Sequence, residues 1–106
     1  MTTETSRMLL AFEQQMRVIN RDTLNPMIPS LSISDLEPMQ RMVAEARGQY
    51  LKALLDIANQ AGGKLPDDQQ IKSLHQRRLR YDELVAAAKA LEAAIQRGYL
   101  DVNENP

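Results

Sequence analysis

Apolar residues recur along this chain with a helical period. Between residues 4 and 21, Leu9, Phe12, Met16 and Ile19 follow one another at steps of three and four, so they share one helix face. Over about 35–61 a longer stripe runs Leu36, Met39, Val43, Ala46, Tyr50, Ala53, Ile57. Over about 67–97 a third runs Leu74, Arg77, Tyr81, Leu84, Ala88, Leu91, Ile95. Both alternate threes and fours, as a heptad seam does. No stretch sustains the period of two that a half-buried strand requires. The pattern predicts an all-α fold.

Proline and glycine set the boundaries. Pro26, Pro29 and Pro38 separate the first two helices, Gly62, Gly63 and Pro66 the second from the third, and Gly98 ends the third. Asp35 is expected as N-cap of the second helix, which puts Pro38 at the third helical position, where its missing N–H is harmless. Ser34 with Glu37 is a competing capping box. Asp67 or Asp68 should cap the third helix, and Arg97-Gly98 reads as a basic last turn followed by a C-terminal glycine. Residues 22–34 are expected to be an extended, Pro-containing connection, with Met27, Ile28, Leu31 and Ile33 tucked inward. Residues 99–106 read as a C-terminal tail, and 1–106 as a single helical domain.

The Gly62-Gly63 turn is short, so the second and third helices should run antiparallel. A register centred on that turn pairs Leu36 with Leu91, Met39 with Ala88, Val43 with Leu84, Ala46 with Tyr81, Tyr50 with Arg77 and Ala53 with Leu74. Large meets small in three of these pairs, as an interdigitated core demands. The expected architecture is an elongated antiparallel hairpin with the shorter N-terminal helix packed on it, a three-helix bundle. Met8, Met16, Met27, Met39 and Met42 would fill the irregular space between them.

The totals fit this picture. At 106 residues, 43% hydrophobic and 25% charged, the chain has the make-up of one globular domain, and a net charge of -1 argues against a general polyanion binder. It contains no Cys, which removes disulfides, thiol catalysis and thiolate metal sites. The opening MTTETSRMLLAF lacks the charge and apolar run of a signal peptide, and no run approaches the roughly 18 apolar residues of a membrane span. The opening Met suggests a whole gene product. These features point to the cytoplasm.

Candidate chemistry is sparse. GGK at 62–64 lacks the earlier glycine and the following Ser or Thr of a phosphate-binding loop, and a helix precedes it. Asp67/Asp68 and Asp82/Glu83 are adjacent acids that diverge on a helix. His75 is the only histidine and has no partner at metal-ligand spacing. No catalytic, cofactor or metal site is expected, and the chain reads as a non-enzyme. Residues 69–80, QQIKSLHQRRLR, do concentrate four positive charges without an acid. There Arg77 is expected to lie over the Tyr50 ring, Arg78 to pair with Asp82, and Arg80 with Glu83.

Leu51, Leu55 and Ala58 lie on a flank of the second helix, and Leu79 on the back of the third. Together they suggest a helical module for protein–protein interaction, an adaptor, chaperone-like or regulatory chain able to form a homodimer. Its contacts would be Leu51, Leu55, Arg78, Leu79 and Arg80. The alternative is nucleic-acid binding through Lys72, Arg77, Arg78 and Arg80.

Overall fold

A computed structural model describes residues 2–103. It contains helices α1 (Thr3–Leu24), α2 (Ile33–Ala61) and α3 (Asp68–Gln96). Among the described residues the only β feature is one isolated parallel bridge, Leu31 to Val102. The fold is all-α, as the periodicity predicts. Internal contacts divide the chain into two compact units: Glu37–Lys89, and Met1–Leu36 together with Ala90–Pro106.

Each helix starts on a side chain that satisfies free backbone donors. The Thr2 hydroxyl accepts from the Thr5 N–H at α1. At α3, Asp67 Oδ1 accepts from the Gln70 N–H at 2.8 Å, while Gln70 Oε1 accepts from the Asp67 N–H at 2.9 Å. This reciprocal box selects Asp67 over Asp68. The start of α2 departs from expectation, because Ser32 is the N-cap, not Asp35. The Asp35 N–H donates to Ser32 Oγ at 3.3 Å, and Asp35 Oδ2 accepts from the Ser32 N–H at 2.8 Å and its hydroxyl at 3.0 Å. One pair thus satisfies both ends of the box, which neither an Asp35 cap alone nor Ser34 with Glu37 can do; Glu37 accepts from Arg41 instead. Those bonds hold the Asp35 carboxyl below the ordinary carboxylate range. As a result Pro38 lies inside α2, where the Ser34 carbonyl loses its usual donor.

The glycine stops after α2 and α3 are built the same way. Gly62 (φ 62°) and Gly98 (φ 74°) take the left-handed conformation. Behind them Gly63 N–H donates to Ala58 O, and Tyr99 N–H to Ala94 O, closing the last turns.

In the unit Glu37–Lys89, α2 and α3 form the antiparallel hairpin. The least exposed positions fall where the seam was predicted. Ala46 and Ile57 are buried; Met39, Val43, Tyr50, Ala53, Leu74, Arg77, Tyr81, Leu84 and Ala88 are half-buried. The register differs from the predicted one by about three residues: Tyr50 stacks on Tyr81, not on Arg77, with ring centroids 5.9 Å apart, and Gln70 Nε2 donates to Gln60 Oε1 at 3.3 Å. The turn between the helices extends past Gly62-Gly63 to Asp67, so its centre lies later in the chain than the glycine pair.

In the other unit, the segment expected as a tail is a structural clamp. Leu100 is the most buried apolar residue described, at 4% exposure. Arg21 Nη1 donates to Gly98 O at 2.8 Å, and Nη2 to Asp101 Oδ1 at 2.6 Å. Leu31 N–H donates to Asp101 O, Asn103 N–H donates to Leu31 O at 2.8 Å, and Asn103 Nδ2 donates to Ser30 Oγ. Residues 104–106 lie outside the described residues. The connection is shorter than predicted, since α1 runs on to Leu24 and α2 starts at Ile33. Ile28 and Leu31 are half-buried, but Met27 and Ile33 are exposed. Met8 and Met42 are exposed as well, so these methionines do not fill a core. No residue of α1 is fully buried.

Candidate functional site

The hairpin has two unlike flanks. On one, α2 contributes Tyr50, Leu51, Leu54 and Ala58, and α3 contributes Ile71, Leu74, His75 and Arg78. Tyr50, Ile71, Leu74, His75 and Arg78 line an open cleft there. Leu51, Leu54 and Ile71 are each about half exposed. Leu54 follows Tyr50 by one turn and precedes Ala58 by one, and Ile71 stands likewise before Leu74 and His75. All therefore border the seam on the same side. Arg47 closes one end: its guanidinium carbon sits 5.5 Å from the centre of the Tyr81 ring, and Nε donates to the Tyr81 hydroxyl at 3.3 Å.

The opposite flank is mixed. Arg41, Met42, Glu45, Gln49 and Arg80 surround Ala46 and Leu84 in one cleft, and Ala53, Asp56, Ile57, Gln60, Gln70, Ser73 and Arg77 line another.

The predicted contact residues therefore do not form one patch. Leu51 and Arg78 belong to the apolar flank. Arg80 opens onto the mixed one. Leu55 and Leu79 are exposed on the backs of α2 and α3, turned from the seam by roughly 150–170° at 100° per residue. Leu54 and Ile71 were missed. Each neighbours a seam position by one residue or one turn, and a single-stripe reading assigns such positions to neither side.

The basic run is also dispersed. Lys72, Arg77, Arg78 and Arg80 leave α3 in four directions. Arg77 is half-buried, and its Nη1 donates to Ser73 O at 3.1 Å and to the Ser73 hydroxyl. The expected Arg77–Tyr50 stacking is replaced by Arg47 over Tyr81. The physical reason is proximity: Ser73 lies one turn back on the same helix and offers two acceptors. Arg78 Nε lies 3.8 Å from Asp82 Oδ2, the predicted pair. Arg80 and Glu83 form no ion pair. His75 is exposed.

The unit containing α1 has a cleft of its own, lined by Leu9, Phe12, Met16, Arg17, Arg97 and Tyr99. Asp101 is held below its ordinary carboxyl range, first by the hydrogen bond from Arg21, then by one from Asn25 and by the Arg21 charge. Among the described residues no three His, Asp or Glu side chains gather to hold a metal ion. No helix among them is long and apolar enough to cross a membrane.

Compared with protein-family models, curated proteins and solved structures, the chain finds no match. Its class is therefore defined by the geometry alone: an all-α chain carrying an antiparallel helical hairpin.

Proposed function

We propose that this chain is a non-enzymatic, cytoplasmic module for protein–protein interaction, able to associate with itself, and that the apolar flank of the hairpin is its contact surface. One observation carries the reading. Leu51, Leu54 and Ile71 stand half exposed on the flank where Tyr50 and Leu74 line an open cleft, and helical spacing puts all three on that one side of the hairpin. Contiguous apolar surface on one side of a two-helix hairpin is surface that a further helix covers in a bundle. Helix-in-groove docking uses the same geometry.

The test is a double variant, Leu54→Ser with Ile71→Ser, compared with the parent chain for cross-linked partners in its host and for mass in solution. Both side chains are already half in water, so the far-ultraviolet circular dichroism should persist while association is lost. Unchanged association in a folded double variant would overturn the reading.

A further inference from the structure

The unit containing α1 presents chemistry of a different kind. Leu9, Phe12 and Met16 follow at steps of three and four on one face of α1, and with Tyr99 they form the apolar part of a cleft of about 470 Å³. That volume is within the range of small-molecule sites. Leu9 and Phe12 are 45% and 56% exposed, while Met16 and Tyr99 are half-buried. The wall contributed by the chain after α3 is held in place. Arg21 Nη1 donates to Gly98 O at 2.8 Å and Nη2 to Asp101 Oδ1, the Tyr99 N–H donates to Ala94 O at 2.9 Å, and Leu100, next in the chain, is buried.

The cleft is also polarised. Arg17 and Arg97 line it together with the apolar residues. Arg17 stands one turn before Arg21, and Arg97 directly precedes Gly98, whose carbonyl Arg21 holds. Both arginines therefore gather toward the Arg21 end, and Leu9 and Phe12 lie toward the other. From Leu9 to Arg17 the helix rises about 12 Å. The ion pairs among the described residues are Arg21–Asp101, Arg41–Glu37, Lys52–Asp56 and Arg78–Asp82, and neither Arg17 nor Arg97 enters one. Glu13 is the acid that lines the cleft, so two arginines against one glutamate leave a single positive charge.

We infer that this cleft binds a medium-chain carboxylate, its alkyl chain over Leu9, Phe12 and Met16 and its head group between Arg17 and Arg97. Each part of the ligand answers a part of the wall. The alkyl chain leaves water against the exposed apolar face, and the Met16 thioether adapts to its shape. A guanidinium offers parallel N–H donors that match the two oxygens of a carboxylate. A single net positive charge suits a monoanion better than a doubly charged phosphate. Glu13, one turn before Arg17, repels the head group and moderates the affinity. The site uses no residue of the hairpin, so it stands or falls independently of the interaction surface proposed above.

The experiment is titration of the full chain with decanoate, kept below its micellar concentration and followed by calorimetry and amide NMR shifts. Decanoate should bind once per chain, with shifts concentrated at residues 9–17 and 97–99. Decanol has the chain without the charge, and acetate the charge without the chain; each should bind at least about tenfold more weakly. Arg17→Gln combined with Arg97→Gln should weaken decanoate about tenfold and leave decanol unchanged. Both arginines are exposed, so circular dichroism should show the fold intact. Phe12→Ser should weaken decanoate and decanol alike. Glu13→Gln should tighten decanoate about threefold, a repulsion screened by water, and leave decanol as it was.

Absence of saturable decanoate binding overturns the inference. Equal affinity for decanoate and decanol, or a double arginine variant that binds decanoate as the parent does, overturns the head-group site. Decyl phosphate bound more tightly than decanoate overturns the choice of a monoanion. Shifts centred on Leu54 and Ile71 overturn the location. The Leu54→Ser, Ile71→Ser variant should bind decanoate unchanged, and its association with partners judges the hairpin surface separately.

Discussion

Replacing Ile57 by alanine should separate the seam of the hairpin from its flank. Ile57 is only 7% exposed, so nearly its whole side chain leaves water on folding. Removing three carbons forfeits roughly 0.8 kcal/mol each, about 2.4 kcal/mol in all. The cavity contribution is small, because Ile57 borders an open cleft that Ala53, Gln70 and Ser73 also line. Leu54, one turn earlier, is 50% exposed. Leu54→Ala should therefore cost about half as much, about 1.2 kcal/mol, with no cavity. The assay is urea unfolding followed by circular dichroism, at a concentration low enough that association contributes nothing. With a slope of about 1.5 kcal/mol per molar urea, the midpoint should fall by about 1.6 M for Ile57→Ala and about 0.8 M for Leu54→Ala. Equal losses would refute the distinction between seam and flank. An unchanged midpoint for Ile57→Ala would refute the seam itself.

Removing the α2 cap with Ser32→Ala should cost about 1 kcal/mol, read from the same urea curves, because the Asp35 N–H loses its acceptor and the Asp35 carboxylate loses the hydroxyl, keeping only the backbone N–H of residue 32. The carboxyls of Asp35 and Asp101 titrate below their ordinary range in the folded chain. Their stabilisation is thus fully present above the unfolded pKa of about 3.9 and is lost as pH falls through the lower folded values. Asp101→Asn should flatten the loss of stability between neutral and strongly acidic pH, and an unchanged acid profile would argue against the Arg21–Asp101 clamp. Gly98→Ala, at φ 74°, should destabilise by about 1–2 kcal/mol in thermal melts. An electrophoretic shift assay at moderate salt should show no retention of duplex or single-stranded nucleic acid, because Lys72, Arg77, Arg78 and Arg80 do not share a face; a shift that weakens steeply with salt would reinstate that alternative.

The hairpin was legible in the sequence because its signals are local and repeated. The heptad stripes from Leu36 to Ile57 and from Leu74 to Ile95 name the least exposed positions of α2 and α3, and Gly62, Gly63 and Gly98 stop the helices where only glycine avoids a steric penalty. The α2 cap was misread because two boxes of similar spelling overlap within Ser32–Glu37. The choice depends on which hydroxyl and carboxylate actually meet.

Contacts between distant parts of the chain were not legible at all. Asp101 carries no periodic pattern, and its role comes from Arg21 and Leu31, some seventy to eighty positions away. The candidate surface lies between these cases. The apolar content of α2 is plain from the letters, but only the pairing of α2 with α3 decides that Leu54 joins Ile71 on one side while Arg80 turns to the other. Helical periodicity fixes the angle of each side chain about its own axis. The tertiary structure alone fixes how two such axes are rotated against each other, and so which side chains share a flank.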